Sequence, residues 1–309
     1  MPLQYETYSF SSVLGWSISR HETFDKCKRQ YFYNYYSKYV PDVPQYKLTQ
    51  LKNLTSVPLE VGNVVHEVLE AFLHRLQKNA SDINEQRFFD FARQKTESCF
   101  ASKTFLETLY RPDTPVDIEK AHARVSTCMR NFINSPCYSW IFMKALINKN
   151  DWMIEPGGYG ETRLGGIKAY CKMDFLFPVD GEIHILDWKT GAKDQGKHGT
   201  QLTAYAMAAS HNFNIPIEKI YPKIIYLYPE FSEFEISLGP DDFETLLTRA
   251  KNQTIEMQAF CKDPDKNIPL SMDNFPCTAF GGLCSYCNYQ GICDGYKDKK
   301  AKALEDKGF

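Results

Sequence analysis

The chain has 309 residues, 43% hydrophobic and 24% charged. This ordinary globular mix excludes a disordered chain and suits one or two domains with real cores. Lys and Arg number 36 against 38 Asp and Glu, and the formal charge of -2 excludes a wholly basic nucleic-acid binder while permitting a local basic groove. No apolar run reaches the length of a membrane span and the N-terminus shows no leader pattern, so an intracellular, cytoplasmic protein with no membrane partner is expected.

In chain order, residues 19–39 are predicted helical. Ser19 with Glu22 forms a capping box, and Phe24, Cys27, Tyr31 and Tyr35 recur on one face before Pro41 and Pro44. Residues 59–78 give the clearest helix, with a stripe running from Val61 through Val64, Val65, Val68, Leu69, Phe72 and Leu73 to Leu76. Residues 84–109 and 117–148 read as further helices, parted by Pro112 and Pro115. From 151 to 189 the chain is Gly-punctuated and alternating, as strands are. A helix over 200–211, strands over 220–228 and 232–238, and a helix over 241–262 follow. A Pro-marked loop, a cysteine cluster and a charged tail close the chain. The expected division is a helical region (1–150), an α/β core (151–262) and a cysteine-bound segment (263–309).

The most informative stretch is 168–191. Asp180-Gly181 lies between two alternating apolar runs, a strong hairpin signal. With those residues as the turn, Val179 faces Glu182 and Asp174 lies opposite Asp187. Opposed side chains share a face, with Cβ atoms about 4.5–5.5 Å apart. Two carboxylates that close repel unless a cation lies between them or one is protonated. Oxygen ligands on rigid strands suit Mg²⁺ or Mn²⁺. Lys189, two residues beyond Asp187, falls on the same face, where an ammonium can orient a water and offset charge on a phosphate. The alternatives are a bulge at Pro178 and a merely solvated salt-bridge face.

Asp174 followed by Asp187-Trp188-Lys189-Thr190-Gly191 resembles the PD-(D/E)XK nuclease superfamily, and in particular its RecB-type exonucleases. Gln201 and Tyr205 match that family's Q-x-x-x-Y motif and share a helical face. Gly62-x-x-x-His66 resembles its G-x-x-x-H segment. The resemblance implies a central mixed sheet flanked by helices, with a helical insertion at about 80–150. It implies a metal held by Asp174, Asp187, His66 and the Trp188 carbonyl, catalysis by Lys189, and Gln201 and Tyr205 contacting substrate or positioning the lysine. An acidic residue is expected before the first motif strand. Glu161 fits that place, with Glu155 as its rival.

Cys284-x2-Cys287-x5-Cys293 is a metal-ligand spacing. Spacing alone offers Cys277 as a fourth ligand. Iron–sulfur RecB-type nucleases, among them AddB and the CRISPR-adaptation exonucleases, have the same x2, x5 spacing and take their fourth ligand from far upstream. That likeness implies a 4Fe–4S cluster on Cys27, Cys284, Cys287 and Cys293, stapling the two ends of the chain; zinc is the alternative occupant. Around Cys27, Lys26, Lys28, Arg29 and Lys38 interleave with Tyr31, Tyr33 and Tyr35, a pairing suited to phosphates and bases. Arg29 and Tyr31 are the DNA-contact candidates there, against a helix that simply buries its rings. Together these likenesses imply a metal-dependent DNA exonuclease of recombination or repair. The alternatives are a CRISPR-adaptation nuclease that trims prespacers and a non-catalytic DNA-end-binding scaffold. No Walker A motif is present, so the chain is expected either to act alone or to join a helicase or other recombination or adaptation partner that supplies strand separation.

Overall fold

The computed structural model describes residue 6 and residues 8–155, 160–277 and 283–297. Nearly all of the charged tail lies outside them. In chain order the helices are α1 (Ile18–Lys26), α2 (Lys28–Tyr35), α3 (Gln45–Lys52), α4 (Val57–Lys78), α5 (Glu85–Ser102), α6 (Leu106–Tyr110), α7 (Ile118–Ile133), α8 (Pro136–Met143), α9 (Gln195–Phe213) and α10 (Pro240–Gln258). Two compact units interleave along the chain. One comprises Met1–Ser9, Ser56–Lys103 and Pro115–Arg249; the other comprises Phe10–Thr55, Thr104–Thr114 and Ala250–Phe309. The division expected at 150 coincides with the boundary of neither.

The first unit is an α/β layer structure. Its mixed five-stranded sheet has the order β1 (Met153–Ile154), β4 (Phe175–Val179), β5 (Glu182–Lys189), β6 (Ile220–Tyr226), β7 (Ser232–Glu235). Only the β5–β6 pair is parallel; the other neighbours are antiparallel. A separate hairpin pairs β2 (Glu161–Leu164) with β3 (Ile167–Tyr170). Helix α4 buries the whole stripe expected of it, from Val61 to Leu76, each residue 4% exposed or less. Burial of one such side chain is worth about 1.5–3 kcal/mol, so this stripe dominates the helix's stability. Helix α7 presents Val125, Cys128, Met129 and Phe132 to the same interior, with Phe132 edge-on to Trp188 at 5.6 Å.

The β4–β5 hairpin turns at Asp180-Gly181, both with positive φ (51° and 83°), the conformation a two-residue turn of this hand requires. Val179 pairs with Glu182 and Phe175 with Leu186, the expected register without a bulge at Pro178. Asp174 sits one residue before β4 and faces Asp187 across the opening of the hairpin.

The second unit brings together segments far apart in the chain, 10–55 and the residues from 250 on. The helix expected over 19–39 is two helices. Cys27 breaks it in an extended conformation (φ -160°, ψ 109°) between α1 and α2. The N-cap of α1 is Ser17, which accepts the Arg20 N–H, and the Ser19 capping box does not form. The aromatic face of α2 is core: Tyr31 and Phe32 are 0% exposed, and Phe32 packs on Phe275 at 4.8 Å. A short hairpin of β8 (Cys261–Asp263) and β9 (Ile268–Pro269) lies in the Pro-marked stretch. No helix among the described residues is long and apolar enough to cross a membrane.

Candidate active site

Four elements of the α/β unit meet at one cavity of about 590 Å³, whose walls include His66, Glu155, Asp174, Asp187, Lys189 and Gln201. The hairpin supplies Asp174, whose Oδ2 accepts the Trp188 N–H at 2.8 Å, so the carboxylate is fixed by the strand it faces. Helix α4 supplies His66. Its Nδ1 lies 3.1 Å from Asp174 Oδ1 and its Nε2 3.0 Å from the Trp188 carbonyl. One turn earlier, Gly62 lies against Thr190, where a Cβ would meet Oγ1 at 3.4 Å, so α4 and the end of β5 run close.

Of the two acidic residues expected as rivals, Glu155 lines this cavity and Glu161 is not among its walls. Residue 155 follows β1, which pairs with β4, and its N–H donates to the Asp174 carbonyl at 2.8 Å. A positive φ of 41° turns its carboxylate to within 3.7 Å of His66 Nδ1. Glu161 lies on the β2–β3 hairpin and pairs instead with Arg163 (2.9 Å) and Lys168 (3.8 Å). Ligand atoms of His66, Glu155 and Asp174 lie within 4.8 Å of one another, a spacing that fits one divalent ion. Asp187 is not in this group. Its Oδ2 faces the Lys189 ammonium, and its Oδ1 accepts from Tyr205 Oη at 2.9 Å and Gln201 Nε2 at 3.4 Å. The i, i+4 spacing of Gln201 and Tyr205 puts them on one face of α9, where Gln201 also donates to the Tyr205 hydroxyl at 2.6 Å. Lys172, which sequence reading did not single out, reaches Glu155 at 2.5 Å. Its only signal was a position two residues before Asp174.

The electrostatics are those of a cation site. Burial alone lowers the basicity of His66. The charge and hydrogen bond of Asp174, and the bond to Glu155, outweigh it and raise the pKa to about 10. Without an ion both ring nitrogens face acceptors, as in an imidazolium, and ligation of an ion would require the loss of one of those protons. Glu155 is held below its ordinary value, first by the His66 hydrogen bond and then by Lys172 against the opposing cost of burial. Asp187 is pushed up to about 6 by burial and by the Asp174 charge, with Lys189 opposing. Burial also drives Tyr205 well above its ordinary value, so it remains a neutral donor.

The other unit holds a second constellation. Cys27, Cys277, Cys284, Cys287 and Cys293 line one cavity of about 190 Å³ together with Arg29 and Tyr33. Cys27 reaches it because the helix breaks there. Arg29 ties the opposite wall: its N–H donates to the Pro276 carbonyl (3.2 Å) and its Nε to that of Phe275 (2.8 Å). Arg29 is half-buried in this role, and Tyr31, expected beside it as a DNA contact, is buried at 0% exposure. Cys284 begins a tight turn, and the Cys293 N–H bonds the Tyr289 carbonyl. Burial, with neighbouring thiols adding, pushes Cys287 up to about 11 and Cys293 to about 12. Both candidates for a fourth ligand, Cys27 and Cys277, are present. Among the described residues no three cysteine sulfurs form a group as tight as that of His66, Glu155 and Asp174.

None of the curated proteins compared matches the chain. The solved structure described as the crystal structure of SSO0001 is 18% identical over 66% of this chain and 81% of that one, with a TM-score of 0.29. The sequence profile of the PD-(D/E)XK nuclease superfamily matches residues 15–294. With that match running through both units, and with Asp187 and Lys189 in contact on one strand across a single intervening residue, the chain belongs to the PD-(D/E)XK nuclease superfamily.

Proposed function

We propose that the protein is a metal-dependent deoxyribonuclease of the RecB type, hydrolysing phosphodiester bonds as an exonuclease on single-stranded DNA or DNA ends. The observation that carries this reading is the meeting of His66, Glu155 and Asp174 with the Asp187–Lys189 pair in one cavity. His66, Glu155, Asp174 and the Trp188 carbonyl would hold Mg²⁺ or Mn²⁺, with Asp187 as the neighbouring carboxylate. The ion supplies Lewis-acid polarisation of a phosphodiester and acidification of a water. Lys189, on the cavity wall, orients the attacking water and offsets the charge that develops on the phosphate. Tyr205 and Gln201 fix Asp187, which in turn holds the ammonium. End-directed action and a place in recombination or repair follow from the RecB-type motifs by likeness.

A 4Fe–4S cluster on Cys27, Cys284, Cys287 and Cys293 is part of this reading; what supports it is the spacing of the last three and that all four residues line one cavity with Cys277. It would tie α2 to the C-terminal segment and act structurally.

End-labelled single-stranded and duplex DNA, incubated with anaerobically purified protein and Mg²⁺ or Mn²⁺, tests the activity. Metal-dependent loss of DNA in the wild type but not in Asp187→Ala is expected, and the label position gives the polarity. An intact, metal-loaded protein that binds DNA ends without cutting overturns the reading in favour of a scaffold.

A further inference from the structure

Helix α7 contributes no side chain to the cavity, yet two of its polar residues reach the backbone on either side of Lys189. Arg124 and Asn131 are seven positions apart, which brings them to one helix face about 10.5 Å apart along the axis. Arg124 Nη2 donates to the Thr190 carbonyl at 2.7 Å, and its guanidinium lies over the Tyr228 ring, 4.3 Å from the centroid. Asn131 Nδ2 donates to the carbonyls of Leu227 and Pro229, each at 2.9 Å. The Leu227 N–H closes the loop of contacts by donating to the Lys189 carbonyl at 2.8 Å.

The placement of these bonds separates them from ordinary packing. The β5–β6 ladder ends with Lys189 paired to Tyr226. Thr190 lies beyond that last pair and is buried, so its carbonyl needs a donor from outside the ladder. Arg124 is that donor. The apolar face of α7 already anchors the helix through Val125, Cys128, Met129 and Phe132. The polar pair adds no comparable burial; it fixes where the two strand ends lie.

We propose that Arg124 and Asn131 are positioning residues of the site, clamping the backbone after Lys189 and the β6 end beside it so that the ammonium stays on Asp187 at the cavity wall. The proposal rests on the reading of Lys189 as a residue of the reaction. A displacement of about 1 Å in a reacting group costs about 100-fold in rate, so a loosened clamp registers in turnover rather than in DNA binding.

Two measurements test it. The first needs no activity: ¹³C NMR of the reductively methylated protein, with the Lys189 signal identified by its loss in Lys189→Arg. In Arg124→Gln and in Asn131→Ala that signal is expected to shift and broaden while the other lysine signals hold. Arg124→Lys, which keeps a donor but not the planar stack on Tyr228, should fall between. An unmoved Lys189 signal in both Arg124→Gln and Asn131→Ala overturns the proposal, whether or not the protein cuts DNA. The second is single-turnover cleavage at saturating DNA. Arg124→Gln should lower the rate by about tenfold or more with DNA affinity within about twofold, and should have no further effect in a Lys189→Ala background. Equal losses in both backgrounds would show that the clamp does not act through Lys189. Absence of cleavage by the wild type sinks the nuclease reading and leaves the NMR result to decide this one.

Discussion

The Glu155 amide donates to the Asp174 carbonyl at 2.8 Å, and that single backbone bond sets two carboxylates beside one histidine. Glu155 leaves β1 with φ 41°, a left-handed conformation uncommon outside glycine. A strand of two residues thus brings the carboxylate that follows it to the site through its pairing with β4.

Glu155 and Glu161 are therefore distinguishable by titration with Mn²⁺. Glu155→Ala should weaken ion binding by at least about tenfold, and cleavage with it, whereas Glu161→Ala should leave affinity unchanged because its carboxylate pairs with Arg163. Calorimetry on the two variants checks this. Equal losses would return Glu161 to the site.

Lys189→Ala should lower cleavage by about 10²–10³-fold while DNA affinity stays within a few-fold. Its partner Asp187 is 2% exposed, so the variant also leaves a buried carboxylate without its cation. Thermal unfolding measured alongside separates the two effects. A large loss of DNA binding with normal stability would assign the lysine to substrate capture.

Cys287→Ala and Cys27→Ala should each bleach the visible absorbance of an anaerobically purified protein and lower its iron content and melting temperature. Cys277→Ala should retain the colour. If Cys277→Ala bleaches and Cys27→Ala does not, the fourth ligand is Cys277. A colourless wild type containing zinc rejects the cluster.

His184 predicts a pH dependence away from the metal residues. It is stacked on Phe177 at 5.7 Å and Tyr221 at 5.3 Å, and burial lowers its pKa below the ordinary value although Glu182 opposes. The folded protein therefore binds fewer protons than the unfolded chain as pH falls through about 6.5. Stability is full above that value and declines below it. Denaturant midpoints between pH 8 and 5 should fall toward acid in the wild type, and less steeply in His184→Gln. A parallel fall in both would remove His184 as the cause.

The sequence by itself determined what local chemistry controls. Asp180-Gly181 specifies its turn, and the turn fixes the register that sets Asp174 against Asp187, since a one-residue slip would reverse every side chain of the hairpin. The stripe of α4 and the four-residue spacing of Gln201 and Tyr205 are set by helical period alone. Tertiary structure decided what depends on partners distant along the chain. Glu155 outranks Glu161 through the pairing of β1 with β4 across about twenty residues. Tyr31 reads as a DNA surface, yet packing with Phe24 makes it core, and its neighbour Arg29 tethers the 275–276 segment. The break at Cys27 and the joining of the 10–55 segment to the residues from 250 on in one unit left no periodic trace, because they are set by contacts more than 200 residues apart in sequence, such as Arg29 to Phe275.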